Sequence, residues 1–99
     1  MDNVRPMTHD IRNNERQSQF ETTIDGHTGY TAYDLEGPDR IVFTHTLVPP
    51  ELEGRGVASA IVKYALEYAR EKKLKVVPQC PYVASFIKRH PEYEDLLAQ

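Results

Sequence analysis

From Gln17 onward, apolar and polar residues alternate, with Phe20, Thr22 and Ile24 on one side of the chain and Gln19, Glu21, Thr23 and Asp25 on the other. A period of two is the mark of a half-buried strand. Asp25-Gly26-His27 supplies a turn, and a second alternation sets Tyr30 and Ala32 against Thr31, Tyr33 and Leu35. Glu36-Gly37-Pro38-Asp39 turns the chain again. A third strand then places Ile41, Phe43, His45 and Leu47 opposite Val42, Thr44, Thr46 and Val48. Three strands joined by short turns predict an antiparallel meander.

The period then changes. Pro49-Pro50 closes the third strand, because proline offers no amide to a ladder. Val57, Ala58, Ile61, Val62, Ala65, Leu66 and Ala69 recur at helical spacing, with Lys63, Glu67, Arg70 and Glu71 on the wet side. Burial of that stripe on the meander is the expected main source of stability. Lys75-Val-Val-Pro-Gln-Cys80 is short and β-branched, so it reads as a strand, and a helical crossover makes it parallel to the strand of His45. Pro81 suits the first position of a short helix with Val83, Phe86 and Ile87 inward; Pro91 ends it, and Glu92 to Gln99 reads as a final helical turn. The expected fold class is therefore α+β: a three-stranded meander, a central helix crossing over to a parallel strand, and short C-terminal helices. Residues 1–16 carry no periodicity and read as a flexible leader, leaving 17–99 as one domain.

Composition narrows the function. Ninety-nine residues, 39% hydrophobic and 27% charged, suffice for one compact domain with a modest core. No apolar run approaches the roughly 20 residues of a membrane helix, and the N-terminal stretch has no apolar signal core, so an intracellular, cytoplasmic location is expected. A net charge of −3 gives no general attraction to nucleic acid, and Lys72, Lys73 and Lys75 read as a solvated helix end. No His, Cys, Asp and Glu set has zinc spacing, so no metal is expected. Cys80 is the single cysteine and cannot form an internal disulfide.

The most informative stretch is Val48-Pro-Pro-Glu-Leu-Glu-Gly-Arg-Gly-Val-Ala-Ser-Ala-Ile61, where strand gives way to helix across two glycines. Gly54 and Gly56 let the backbone curl, the first amides of the helix lack carbonyl partners, and the helix dipole favours an anion there. Arg55 adds a fixed charge. No Gly-Lys-Ser or Gly-Lys-Thr follows, which excludes a Walker loop, and the third glycine of a Rossmann fingerprint is missing.

Glu51-x-x-Gly54-Arg55-Gly56, followed by Val57-Ala58-Ser59-Ala60-Ile61, resembles the acetyl-coenzyme A loop of the GNAT N-acetyltransferases, Gln/Arg-x-x-Gly-x-Gly/Ala, with Glu51 departing from its first position. Pro49 to Gly56, Val76-Val77-Pro78-Gln79-Cys80-Pro81-Tyr82 and Arg89-His90-Pro91-Glu92-Tyr93 together resemble a very short GNAT-like subgroup, over roughly Gln17 to Leu97. The resemblance implies a minimal GNAT fold and acetyl transfer to an unidentified amine, that of a protein or peptide being one candidate. It also implies that the third and fourth strands splay into a V that admits the pantetheine arm.

Acetyl-coenzyme A would then be held by amides of Gly54, Arg55, Gly56, Val57 and Ala58, with the extended backbone of Leu47 and Val48 pairing the pantetheine. Two residues stand as catalytic candidates. Cys80 precedes a helix start that favours a thiolate, and either carries the acetyl group, lines its pocket, or is an inert buried hydrophobe. His45 is either the base for the amine or a histidine satisfied by a hydroxyl within the sheet. The family's proton-donating tyrosine aligns with Ile87, leaving Tyr82 and Tyr93 as less exact substitutes. The helices that frame the family's acceptor site and its last hairpin are missing. The competing reading is thus a noncatalytic acyl-coenzyme A-binding or protein-interaction module. Acceptor identity and oligomeric state stay open.

Overall fold

The computed structural model describes residues 10–98. Five strands form one sheet in sequence order: β1 (Arg12–Asn14), β2 (Gln19–Ile24), β3 (His27–Glu36), β4 (Arg40–Leu47) and β5 (Lys75–Pro78). β1 to β4 are antiparallel neighbours and β5 runs parallel to β4. Helix α1 (Val57–Glu71) makes the crossover, α2 (Pro81–Arg89) follows β5, and 3-10 turns span Pro50–Leu52 and Pro91–Leu96. The expected α+β layout is present, with each predicted strand and helix in its place.

α1 buries Val57, Ile61, Val62, Ala65, Leu66 and Ala69, the predicted stripe except Ala58, which is only half-buried. They meet Phe20, Tyr33, Ile41 and Phe43 from the sheet, Val76 of β5, and Val83, Phe86 and Ile87 of α2 in one core. At about 1.5–3 kcal/mol for each fully buried large side chain, this interface dominates the stability. Phe20 sits at its centre, with ring centroids 5.1 Å from both Tyr33 and Tyr68 and 6.4 Å from Phe43.

The C-terminal segment is tied back on the same helix. Arg70 donates to Asp95 at 2.9 Å and to the Glu92 carbonyl at 2.8 Å, and its guanidinium lies over the Tyr93 ring. Tyr93 donates to Glu67 at 2.7 Å; burial first, and then that carboxylate, push the phenol up to about 12. Ala98 N donates to the Val76 carbonyl, so the chain ends the domain along the free edge of β5 rather than only as a helical turn.

Two departures from the sequence reading shape the sheet. The first lies in the expected leader: residues 1–9 are outside the described residues, but Arg12–Asn14 pairs with β2. The cause is Glu21, buried although charged. Its carboxylate accepts from Gln19 Nε2 at 2.7 Å, Asn14 Nδ2 at 3.1 Å and Arg12 Nη2 at 2.9 Å. A polar edge strand is thus held by side chains rather than by an apolar face. The second is a bulge. Ala32 pairs with His45 but Tyr33 pairs with Phe43, so Thr44 is an extra residue in β4. Beyond it the alternation inverts: His45 and Leu47 leave the side of Ile41 and Phe43 and are exposed, while Thr46 is half-buried.

Glu21 is held below the usual carboxylate range, by the Gln19 hydrogen bond foremost and then by Asn14 and Arg12 against the cost of burial. A depressed folded-state pKa contributes stability that is present above the unfolded value and lost as pH falls through the folded one. Urea unfolding of the natural chain is therefore expected to show a stability loss as pH falls below about 4.5 that is diminished in Glu21→Gln. Hydrogen exchange should show weakened protection at Arg12–Asn14 in that variant. Equal acid profiles and intact protection would contradict this account of the edge strand.

Candidate functional site

The site grows out of the point where β4 and β5 part. The ladder between them runs from Arg40–Lys75 through Ile41–Val76 and Val42–Val77 to Phe43–Pro78. Pro78 has no amide to give, and the last backbone hydrogen bond across the gap is Cys80 N to the Phe43 carbonyl at 2.9 Å. Thr44 to Leu47 continue with β3 on one side and no ladder to β5 on the other. The bulge at Thr44 lies at the same level, so separation and change of face coincide.

Directly beyond, Val48 and the prolines lead through the Pro50–Leu52 turn into the glycine loop. Leu52 is buried and pins the loop to the core. Gly54 has φ +80° and Gly56, the residue capping α1, φ +73°, both in the left-handed region that glycine enters without strain. Among the described residues, no amide from Gly54 to Ser59 donates to a backbone carbonyl; the first helical bond is Ala60 N to the Gly56 carbonyl, 3.1 Å. The loop closes a cavity of about 190 Å³ lined by Val48, Leu52, Glu53, Gly54, Gly56–Ser59 and Tyr82. That is smaller than the roughly 300–1,000 Å³ typical of a drug-sized ligand site. Tyr82, from the first turn of α2, hydrogen-bonds Ser59 at 3.0 Å across its mouth.

These features converge on a family, and the comparisons agree. The sequence model described as GCN5-related N-acetyl-transferase matches residues 19–96. The chain belongs to the GCN5-related N-acetyltransferase family. Among its relatives, the protein named NATD1 from Bos taurus is 29% identical over 83 residues, spanning 82% of this chain and 74% of its own length. NATD1 from Homo sapiens gives the same figures, and NATD1 from Xenopus tropicalis is 26% identical over 82% of this chain and 76% of its own.

In this member of the family the two catalytic candidates stand on opposite faces of the sheet. A Cβ built on Gly29 would meet Ile61 of α1, so Gly29 and its alternate neighbour Thr31 face that helix. Thr31 Oγ1 is 3.1 Å from Thr46 Oγ1, which is 3.3 Å from Cys80 Sγ. Cys80 thus belongs to the dry, α1 side. It caps α2, yet its sulfur makes no hydrogen bond to that helix's first amides. His45 lies on the other side, with Nε2 3.2 Å from the Tyr30 hydroxyl and the rings edge to face at 5.5 Å. The hydroxyl that satisfies it within the sheet is that of Tyr30, on the neighbouring strand. Cys80 and His45 form no nucleophile–base pair.

Gly54, Gly56, Val57 and Ala58 come together with Val48 around the cavity, whereas Arg55 does not line it and pairs with Asp25 at 3.5 Å, and Leu47 projects from the opposite face. Ile87, where the resemblance would put the family's tyrosine, is buried in the core. Tyr93 is engaged by Glu67, about 15 Å along α1 from its start. Tyr82 is the tyrosine at the cavity. Two residues the sequence reading left as structural turn out to be linked to the sulfur, Thr46 by direct contact and Thr31 through Thr46; their cross-strand pairing was hidden by the unpredicted bulge. Among the described residues, no cluster of three or more His, Cys, Asp or Glu side chains has the geometry of a metal site.

Thr31 is fully buried and its hydroxyl depends on Thr46. Thr46→Val is expected to cost about 1–3 kcal/mol in urea unfolding by stranding that hydroxyl, with Thr46→Ser restoring most of it. Identical stability of the two variants would refute the chain of contacts to Cys80.

Proposed function

We propose that the chain binds acetyl-coenzyme A and transfers its acetyl group to an amine. The observation that carries this reading is the run of unpaired amides from Gly54 to Ser59, opened by two left-handed glycines at the start of α1 in a member of this family. Oriented backbone N–H groups backed by a helix dipole suit a diphosphate. The unladdered edge of β4 beyond Phe43 offers extended backbone at Leu47 and Val48 to the amides of a pantetheine arm. The thioester would then lie in the gap between β4 and β5, near Cys80.

The acceptor amine would approach from the face of His45, which is exposed and steadied by Tyr30. Attack on the thioester carbonyl forms the C–N bond and a tetrahedral oxyanion, which a backbone N–H at the strand opening stabilises. Collapse breaks the C–S bond and releases the coenzyme thiolate. His45 or a water takes the amine proton, and the thiolate is reprotonated as it leaves. Direct transfer is the favoured route, because Cys80 has no base beside it. In the covalent variant Cys80 attacks the thioester first and the amine then takes the acetyl group from its sulfur.

A second reading keeps the binding and drops the chemistry. Buried Ile87 at the position of the family's proton donor favours it.

Thermal unfolding with acetyl-coenzyme A should show stabilisation, about 2.7 kcal/mol at 100 times the dissociation constant, and coenzyme thiol release should rise when amines are added. Stabilisation without release across an amine panel selects the binding module, and no stabilisation rejects the coenzyme site. An unchanged rate in Cys80→Ala supports direct transfer, while its abolition supports the acetyl-enzyme.

A further inference from the structure

The glycine loop turns amides towards an anion but brings no cation to it. Glu53 is the sole charged side chain among the residues that line the cavity, and Arg55, which does not line it, is paired with Asp25. Side-chain support for an anion at this place therefore has to come from neutral donors. Two are present. Ser59 is the third residue of α1 and Tyr82 the second of α2; both are half-buried, both line the cavity, and their hydroxyl oxygens lie 3.0 Å apart. Among the described residues neither hydroxyl has another hydrogen-bond partner.

Two paired hydroxyls carry two hydrogens and use one between them. A phenol is the stronger acid and hence the better donor, while an aliphatic hydroxyl oxygen is the better acceptor, so the shared hydrogen is that of Tyr82. The hydrogen of Ser59 is left over. It sits on the same turn as the unpaired amides of Val57, Ala58 and Ser59 itself. We infer that Tyr82 is a positioning residue of the anion site: by donating to Ser59 Oγ it leaves the Ser59 hydroxyl to donate to a bound diphosphate. The inference rests on the coenzyme-binding reading of the glycine loop, and adds to its amides one side-chain donor and the residue that orients it. A hydroxyl whose oxygen already accepts a hydrogen bond is polarised into a stronger donor, so Tyr82 contributes to affinity without touching the ligand. The first turn of α1 is thereby joined to α2, which enters from β5 on the far side of the gap.

Titration calorimetry with coenzyme A measures both contributions. Ser59→Ala is expected to bind about tenfold more weakly than the natural chain, and Ser59→Thr, which keeps a hydroxyl, to recover most of that loss. Tyr82→Phe keeps the ring and should lose about three- to fivefold. Because Tyr82 acts through Ser59, the double variant should bind no more weakly than Ser59→Ala alone. Equal losses in the two single variants, or a loss in Ser59→Thr as large as in Ser59→Ala, would mean that the hydrogen bond only ties the two helices together, and would overturn the inference. Unchanged affinity in Tyr82→Phe, or losses that multiply in the double variant, overturn it as well. In all these outcomes the coenzyme site stands, since the natural chain still binds. Absence of binding to the natural chain removes that site, and the inference with it.

Discussion

Four residue pairs join the two parallel strands, and the shape of the candidate site depends on there being no fifth. Pro78 brings no amide to the ladder and Thr44 inserts an extra residue in β4 at the same level, so the sheet opens at its centre. Up to that level Ile41, Phe43 and Val76 are fully buried under α1 and the fold behaves as an ordinary packed layer. Beyond it, backbone polar groups are left without strand partners, a condition a protein sustains only where solvent or a ligand can satisfy them. The glycine loop lies directly past the opening, because the strand that diverges is the one that feeds α1.

The opening separates two unlike surfaces. On the α1 side the Thr31, Thr46 and Cys80 contacts form a dry polar thread within an apolar core. On the other side Tyr30, His45 and Leu47 are half-buried or exposed, and no helix among the described residues covers them. The apolar burial that holds the sheet comes from α1 together with Val83, Phe86 and Ile87 of α2. The C-terminal tie through Arg70, Tyr93 and Asp95 fastens the far end of that helix, away from the loop. The C-terminal tie and the candidate site are thereby set at opposite ends of α1.

Much of this was legible in the chain because period and punctuation agreed. The stripe from Val57 to Ala69, Pro81 at the start of α2 and the glycine turns at Gly26 and Gly37 each carried a local signal that the structure follows. What escaped was set by contacts between distant residues. Arg12–Asn14 has no strand pattern and pairs because a buried carboxylate nine residues on collects its side chains. The bulge at Thr44 leaves no mark in a run of β-branched and aromatic residues, so one inserted residue reversed the faces assigned to His45 and Thr46. The pairs His27–Glu51 and Asp25–Arg55 join turns about 25 to 30 positions apart and follow only once the meander is folded.

The coenzyme site is tested most directly by a crystal structure of the complex with coenzyme A. The account requires the diphosphate within hydrogen-bond distance of amides between Gly54 and Ser59, and the pantetheine chain in the gap beyond Phe43, paired with the backbone of Leu47 and Val48. A coenzyme bound elsewhere, with those amides still facing solvent, would contradict it.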